Sequence, residues 1–247
     1  MENKVIIKVE TGSRLYGTPT ELSDTDFIGV FLPTKKELLG FTRSDYRSLG
    51  KVSKNDEGKN DGDAVDYVLH SLPKFLHLAL KGNPNILELF FVNEGNIVEI
   101  DSIGRKLLKL APCLIGKHMV KPYMGWVFKE TRFLGRLRMQ EVSVSTMAVT
   151  YKRYSHVVRL LHELKALLSM GKLVFPLPEA EEIKGIKEGR VSFDLLRCRI
   201  EDLVSDVGVL EGGCSFPEKP NFHAVENFLI ETHEGIVRES KYIVDLS

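Results

Sequence analysis

The sequence predicts an α+β fold, with a small mixed β-sheet and flanking helices at the N-terminus and a helical module after it. Three observations predict it. Two short apolar runs rich in Val, Ile and Phe lie close together, Val5–Val9 and Phe27–Phe31, as β-strands require. A third such segment, Asp63–His70, follows a polar stretch. From about residue 100 the apolar residues recur instead at helical spacing.

Taken in order, residues 4–10 and 26–32 read as strands and 35–39 as a single helical turn. Residues 41–63 are polar and glycine-bearing, and 51–62 among them form a loop with no apolar anchor. Asp63–His70 is the third strand. A helix starts near Ser71 with Pro73 in its first turn, where the missing N–H costs nothing. Gly82-Asn83-Pro84 stops it and a second helical segment covers 86–92. Further helices are expected at 101–110, 115–140, 146–170, 192–211 and 222–243, with a loop from Pro176 to about Arg190. This divides the chain into residues 1–100, a catalytic module, and 101–247, a helical supporting module.

The chain of 247 residues is 43% hydrophobic and 28% charged, ordinary for a globular protein. Lys plus Arg and Asp plus Glu both total 34, so any attraction to nucleic acid rests on a local basic surface rather than on net charge. Three cysteines, Cys113, Cys198 and Cys214, are widely spaced and form no metal-ligand pattern. They read as small buried thiols in a reducing compartment, and no stretch has the length of a membrane span. The expectation is a cytoplasmic protein.

The chemistry is concentrated near the N-terminus. Gly12-Ser13 follows the first strand, and Asp24-Thr25-Asp26 opens the second. Alternate strand residues face the same way, about 6.6 Å apart at about 3.3 Å per residue, so Asp24 and Asp26 project together and suit a hard divalent cation. Glycine leaves room for backbone N–H groups to approach phosphate oxygens. A phosphate cradle with paired carboxylates equips a site for metal-assisted phosphoryl or nucleotidyl transfer. Ser23-Asp24 alone is also ordinary turn chemistry; the joint pattern is what distinguishes it. Neither a P-loop nor a dinucleotide fingerprint is present.

Two-metal chemistry calls for a further acid on a neighbouring strand. Asp63 and Asp66 are the candidates, and their opposite parity excludes both from facing one site on a regular strand. Asp66 is favoured because it lies inside the strand, with Asp63 as the alternative. With Asp66 inward, Val68 and His70 share its face, and Tyr67 and Leu69 are expected to back onto the helices.

The segment Gly12-Ser13-Arg14-Leu15-Tyr16-Gly17 followed by Ser23-Asp24-Thr25-Asp26-Phe27-Ile28-Gly29-Val30-Phe31 resembles the signature of the polymerase β-type nucleotidyltransferase superfamily. Within it the chain resembles the bacterial and phage branch associated with RNA-ligase repair systems. The likeness continues through Asp66–Leu76 and Lys81–Phe90 and recurs weakly at Lys152–Leu161 and Gly171–Leu173. The resemblance implies a nucleotidyltransferase core with Mg²⁺, or Mn²⁺ in its place, on Asp24, Asp26 and Asp66. It also implies a nucleoside triphosphate held by Gly12 and Ser13. Arg14, Lys74, Lys152, His156 and Arg159 are the further candidate nucleotide-binding residues. The implied reaction is attack of an acceptor hydroxyl on the α-phosphate, with Asp66 taking the proton. An RNA or tRNA end is the first acceptor considered, and a protein or small molecule the second.

Two basic stripes bear on that choice. Lys152, His156, Arg159 and Glu163 fall within about 40–60° of one another at about 100° per residue, beside an apolar stripe from Val157 to Leu168. As a solvated face, the Arg159–Glu163 pair would contribute only about 0.2–0.5 kcal/mol. Lys129, Arg132 and Arg136 share another helical face beside Trp126, Phe133 and Leu137. That face is either a phosphate track or the outward side of an amphipathic helix. Asn83, Pro84 and Glu88 read as capping and pairing residues around a helix junction.

Overall fold

Five strands form one mixed sheet, in the spatial order β3 (Ser48–Lys51), β4 (Val65–Ser71), β2 (Thr25–Leu32), β1 (Lys4–Thr11) and β5 (Ile97–Ile100). The computed structural model describes residues 3–20, 23–41, 44–51, 65–137 and 144–239. Asp63 and the 52–62 part of the expected polar loop lie outside those residues.

β1 (Lys4–Thr11) runs into a short helix, α1 (Gly12–Tyr16), and β2 (Thr25–Leu32) returns antiparallel to β1. A single turn, α2 (Lys35–Leu39), follows, capped reciprocally by Thr34 and Glu37 as in a capping box. β3 (Ser48–Lys51) pairs antiparallel with β4 (Val65–Ser71), and β4 runs parallel to β2. α3 (Leu72–Leu80) and α4 (Pro84–Leu87) come next, then the edge strand β5 (Ile97–Ile100), antiparallel to β1.

The remainder is helical: α5 (Ser102–Leu108), α6 (Ala111–Leu114), α7 (Val120–Leu137), α8 (Val144–Met170), α9 (Ala180–Lys187), α10 (Phe193–Gly213) and α11 (Phe222–Glu239), with α9 standing where a loop was expected. Asp101 starts α5 by accepting hydrogen bonds from the N–H groups of Ile103 and Gly104, both at 2.8 Å. Among the described residues no helix is long and apolar enough to cross a membrane.

One face of the sheet carries the core. Ile7 and Val9 of β1 and Val30 of β2 are fully buried and join the cluster that contains Leu72, Phe75, Leu76 and Ala79 of α3. The acids belong to this helix-covered face, because Asp26, Ile28 and Val30 alternate along β2 and Val30 is in the core. The expectation that Tyr67 and Leu69 back onto the helices is therefore corrected. Neither is among the core residues or those packed on them, and Leu69 lies instead over Gly29 on the opposite face.

α8 is the central helix, packed against α7, α9 and α10. Its apolar stripe, Val157, Leu160, Leu161, Leu164, Leu167 and Leu168, is buried throughout, and so are Arg159 and Glu163 on the side read as basic. The charged stripe of this helix thus runs from an exposed Lys152 through a half-buried His156 to an interior Arg159 and Glu163, rather than being solvated along its length. Of the cysteines, Cys198 is exposed on α10 and only Cys113 and Cys214 are partly covered.

Candidate active site

The carboxylates are set by strand register. Asp26, second residue of β2, is the direct partner of Asp66 in β4 on one side and of Thr11 in β1 on the other. Asp24 stands two residues before Asp26, just outside the strand. One oxygen from each of Asp24, Asp26 and Asp66 lies within 4.8 Å of the other two. All three side chains are half-buried. Burial raises the Asp26 carboxyl above its ordinary pKa, the charges of Asp24 and Asp66 raise it further, and Lys152 partly offsets them. Three hard oxygen donors that repel one another suit a hard divalent cation, which favours such ligands.

Gly12 bounds this cluster. Its φ is +69°, a conformation that L side chains rarely adopt. A Cβ there would stand 2.5 Å from Oδ2 of Asp26, so glycine is required both by the backbone and by the acid beside it. Ser13 follows, and its carbonyl accepts the N–H of Thr18 at 2.8 Å, which closes the bend.

Two cavities, each of about 470 Å³, meet at the acids. The first is lined by Ser13, Asp24, Lys152 and Lys187, among others. The second is lined by Asp66, His70, Asn83 and Glu88. Gly12, Tyr16, Asp26, His156 and Arg159 line both and form the partition.

Arg159 anchors that partition. Its guanidinium pairs with Glu88 and with Glu163, one turn along α8, and lies 4.1 Å over the Tyr16 ring. The Tyr16 hydroxyl donates to Glu88 at 2.8 Å. Burial raises the Glu163 carboxyl to a pKa of about 8, although Arg159 acts in the opposite direction. Two carboxylates thus share one buried guanidinium, and burial opposes the charge of Glu163. Oε2 of Glu163 and the hydroxyl of Tyr123 are buried without a hydrogen-bond partner among the described residues.

His156 is held by the same arginine, whose Nη2 lies 3.0 Å from its Nδ1. Burial, with Arg159, Arg153 and Lys152 adding to it, lowers the imidazole pKa to about 3. The ring is neutral and accepts at Nδ1, which leaves Nε2 as an N–H donor. In the second cavity His70 is also held below its usual pKa, by burial and then by Lys74. Its Nδ1 lies 2.6 Å from the Ser48 hydroxyl.

The structure thus brings together Gly12, Ser13, Asp24, Asp26, Asp66, Lys152, His156 and Arg159. Two of the expected nucleotide-binding residues lie elsewhere. Arg14 turns back along the strand to Glu10, 3.4 Å away, because α1 points it away from the acids. Lys74 on α3 sits 6.0 Å from the Tyr46 ring. Neither lines the two cavities.

Lys187 is the residue that the sequence reading missed. It enters the first cavity from α9, a helix formed where a loop was expected. Burial lowers its pKa, Lys152 lowers it further, and Asp24 opposes them. The signal was present as Glu181-Glu182 in a first turn, Ile183 and Ile186 inward and Lys187 at the end, but the preceding prolines obscured it.

A solved structure of a nucleotidyltransferase-like protein from Exiguobacterium sibiricum 255-15 aligns over 98% of this chain and 76% of that one, at 13% identity and a TM-score of 0.33. An uncharacterized 38.9 kDa protein encoded in the nrdC-mobD intergenic region of Enterobacteria phage T4 is 35% identical over 133 residues. That match covers 53% of this chain and 39% of the phage protein, so it spans well under half of that relative's length. The RNA repair pathway DNA polymerase beta family matches residues 1–205, which include β1 to β5, the three acids and the whole of α8 and α9. The resemblance carried by Gly12-Ser13 and Asp24-Thr25-Asp26 is upheld: the chain belongs to the RNA repair pathway DNA polymerase beta family.

Proposed function

We propose that the protein transfers a nucleoside monophosphate from a nucleoside triphosphate to an acceptor hydroxyl, with an RNA end as the acceptor. The observation that carries this reading is the position of Asp24, Asp26 and Asp66, gathered within 4.8 Å where two cavities meet. A site that joins two substrates needs two compartments and a shared wall of charge.

In this reading Asp24, Asp26 and Asp66 hold Mg²⁺, or Mn²⁺ in its place. The metal would supply charge neutralisation at the phosphoryl oxygens and a lowered pKa at the attacking hydroxyl. The triphosphate occupies the cavity lined by Ser13, Lys152 and Lys187. The bend at Gly12-Ser13 offers backbone N–H groups to it, and the two lysines offset its charge. Nε2–H of neutral His156 donates to a phosphate oxygen without adding a titrating charge. The acceptor occupies the Asp66 cavity, where Asp66 takes the hydroxyl proton as the oxygen attacks the α-phosphate. The bond to the leaving pyrophosphate breaks as the new ester forms. Arg159 acts by positioning, since its guanidinium is already engaged by Glu88, Glu163 and His156.

The neutral net charge of the chain keeps a protein or small-molecule acceptor as the second reading. One experiment separates them. Purified protein is incubated with Mg²⁺ and α-labelled nucleoside triphosphates, with RNA, lysate protein or neither. Label moving onto RNA supports the proposal; label confined to polypeptide or a small product gives the second reading. No transfer with any metal or acceptor overturns both.

A further inference from the structure

Away from the acids, α7 and the start of α8 form a groove of about 590 Å³ whose lining includes Phe128, Lys129, Arg132, Phe133, Arg136 and Arg153. Its charge is one-sided. Glu130 also lines it, but its carboxylate is engaged by Arg153 at 2.6 Å. Among the described residues no carboxylate is paired with Lys129, Arg132 or Arg136, and all three are exposed. Aromatic faces interleave with these cations: Phe128 is 57% exposed and Phe133 37%, and the Arg153 guanidinium lies 3.8 Å over the Phe133 ring. Ring contacts link the groove to the wall of the site. The Lys129 ammonium lies 4.7 Å over Trp126, and Trp126 meets His156 edge-on at 6.3 Å, and His156 is in the wall between the two cavities.

We infer that this groove holds single-stranded RNA, the acceptor strand leading into the Asp66 cavity. Cations at i, i+3 and i+7 of a helix face match a phosphate backbone, and exposed rings beside them match unstacked bases, the combination that binds single strands. An acidic peptide would use the cations and leave the rings idle. A second copy of this chain, docked symmetrically, would set like charges against each other. The choice of RNA rests on the nucleotidyl-transfer reading; the groove itself does not.

The test is fluorescence anisotropy of a short labelled single-stranded RNA, titrated with protein over a range of salt, with chelator present and no nucleotide. Wild type is expected to bind with a steep salt dependence. Arg132→Ala/Arg136→Ala is expected to bind about tenfold or more weakly and to lose about 1.4 from the log–log salt slope, at about 0.7 per phosphate contact on a single strand. Phe128→Ala is expected to weaken binding about five- to a hundredfold with the slope unchanged, since stacking carries no counterion release. Circular dichroism and binding of a fluorescent ATP analogue should be unaltered in these exposed variants. Unchanged RNA affinity and slope in the double variant overturn the inference, as does tighter binding of DNA of the same sequence. Loss of self-association with intact RNA affinity assigns the groove to a second copy and overturns it too. The measurement is independent of catalysis. RNA bound here without any label transfer leaves the groove standing and removes the acceptor reading. Label reaching RNA with equal KM in wild type and double variant does the reverse.

Discussion

Asp26 and Asp66 are direct register partners across the parallel pairing of β2 with β4. Partners in a parallel ladder present their side chains on the same face. A slip of one residue would turn Asp66 to the far side and bring Val65 or Tyr67 opposite Asp26. The register from Thr25↔Val65 to Phe31↔Ser71 is unbroken, so the carboxylate pair is as firmly specified as the sheet. Asp24, outside the strand, completes the triad.

Replacing one acid separates stability from function. Asp24→Asn keeps the shape and removes a charge from a cluster whose mutual repulsion already raises the Asp26 carboxyl. Transfer activity should fall about 100-fold or more, as expected when a metal ligand is lost. Metal-free protein should melt about 2 °C higher, the size of shift that a fraction of a kcal/mol produces in a chain of this length. Mg²⁺ should no longer raise the melting temperature of the variant. Label transfer measures the first effect, and calorimetry with and without Mg²⁺ checks the two melting effects against wild type.

Gly12→Ala should act through geometry. The added Cβ meets Oδ2 of Asp26 at 2.5 Å, and the backbone φ of +69° is strained for alanine. A loss of about 1–2 kcal/mol is expected from the backbone conformation together with the contact. Transfer should be lost as Asp26 is displaced. Urea unfolding measures the first effect and label transfer the second.

Lys187→Ala should raise KM for the nucleoside triphosphate about tenfold or more, the scale of one hydrogen bond to a charged group, with little effect on folding. Because burial and Lys152 hold the Lys187 pKa below its usual 10.5, wild-type KM should climb at alkaline pH before ordinary lysines titrate. That rise should be absent in the variant. Steady-state kinetics across the alkaline range decides it.

Glu163 makes stability depend on pH in a defined direction. Burial holds its folded pKa, about 8, above its ordinary value of 4.5, so between those values the folded state binds more protons than the unfolded one. Stability contributed by the protonated carboxyl is complete below about 4.5 and is lost as pH rises toward 8. Glu163→Gln keeps the neutral form at every pH and should flatten that decline, leaving Glu88 to balance Arg159. Glu88→Ala should be more damaging, by about 3–5 kcal/mol, because it removes the charge that balances a buried guanidinium. Denaturant midpoints of both variants at pH 6 and pH 8 test the pair, with pH 6 and pH 8 chosen as about the middle and the end of the titration window.

Much of this was legible in the sequence where the signal is local. The strands at 4–10 and 26–32 are found at Lys4–Thr11 and Thr25–Leu32, and the helices at 146–170 and 192–211 at Val144–Met170 and Phe193–Gly213. Gly12-Ser13 after one strand and Asp-x-Asp at the opening of the next located two acids by their joint pattern. The short edge elements β3 and β5 were not legible, since four residues give too little alternation. α9 was hidden behind Pro176 and Pro178, and Lys187 with it. Arg159 shows a different limit. Its partner Glu88 is 71 residues away in sequence, and only the fold reveals that the Arg159–Glu163 pair is buried. The small energy of a solvated pair does not apply to it.

The central claim is most directly tested by titrating Mn²⁺ into the protein in the absence of nucleotide and following binding by calorimetry or electron paramagnetic resonance. Wild type should bind, and Asp24→Asn, Asp26→Asn and Asp66→Asn should each bind at least about tenfold more weakly, while Asp63→Asn binds as wild type does. Wild-type affinity retained in Asp66→Asn, or lost only in Asp63→Asn, would contradict the assignment of β2 and β4 as the strands that hold the metal.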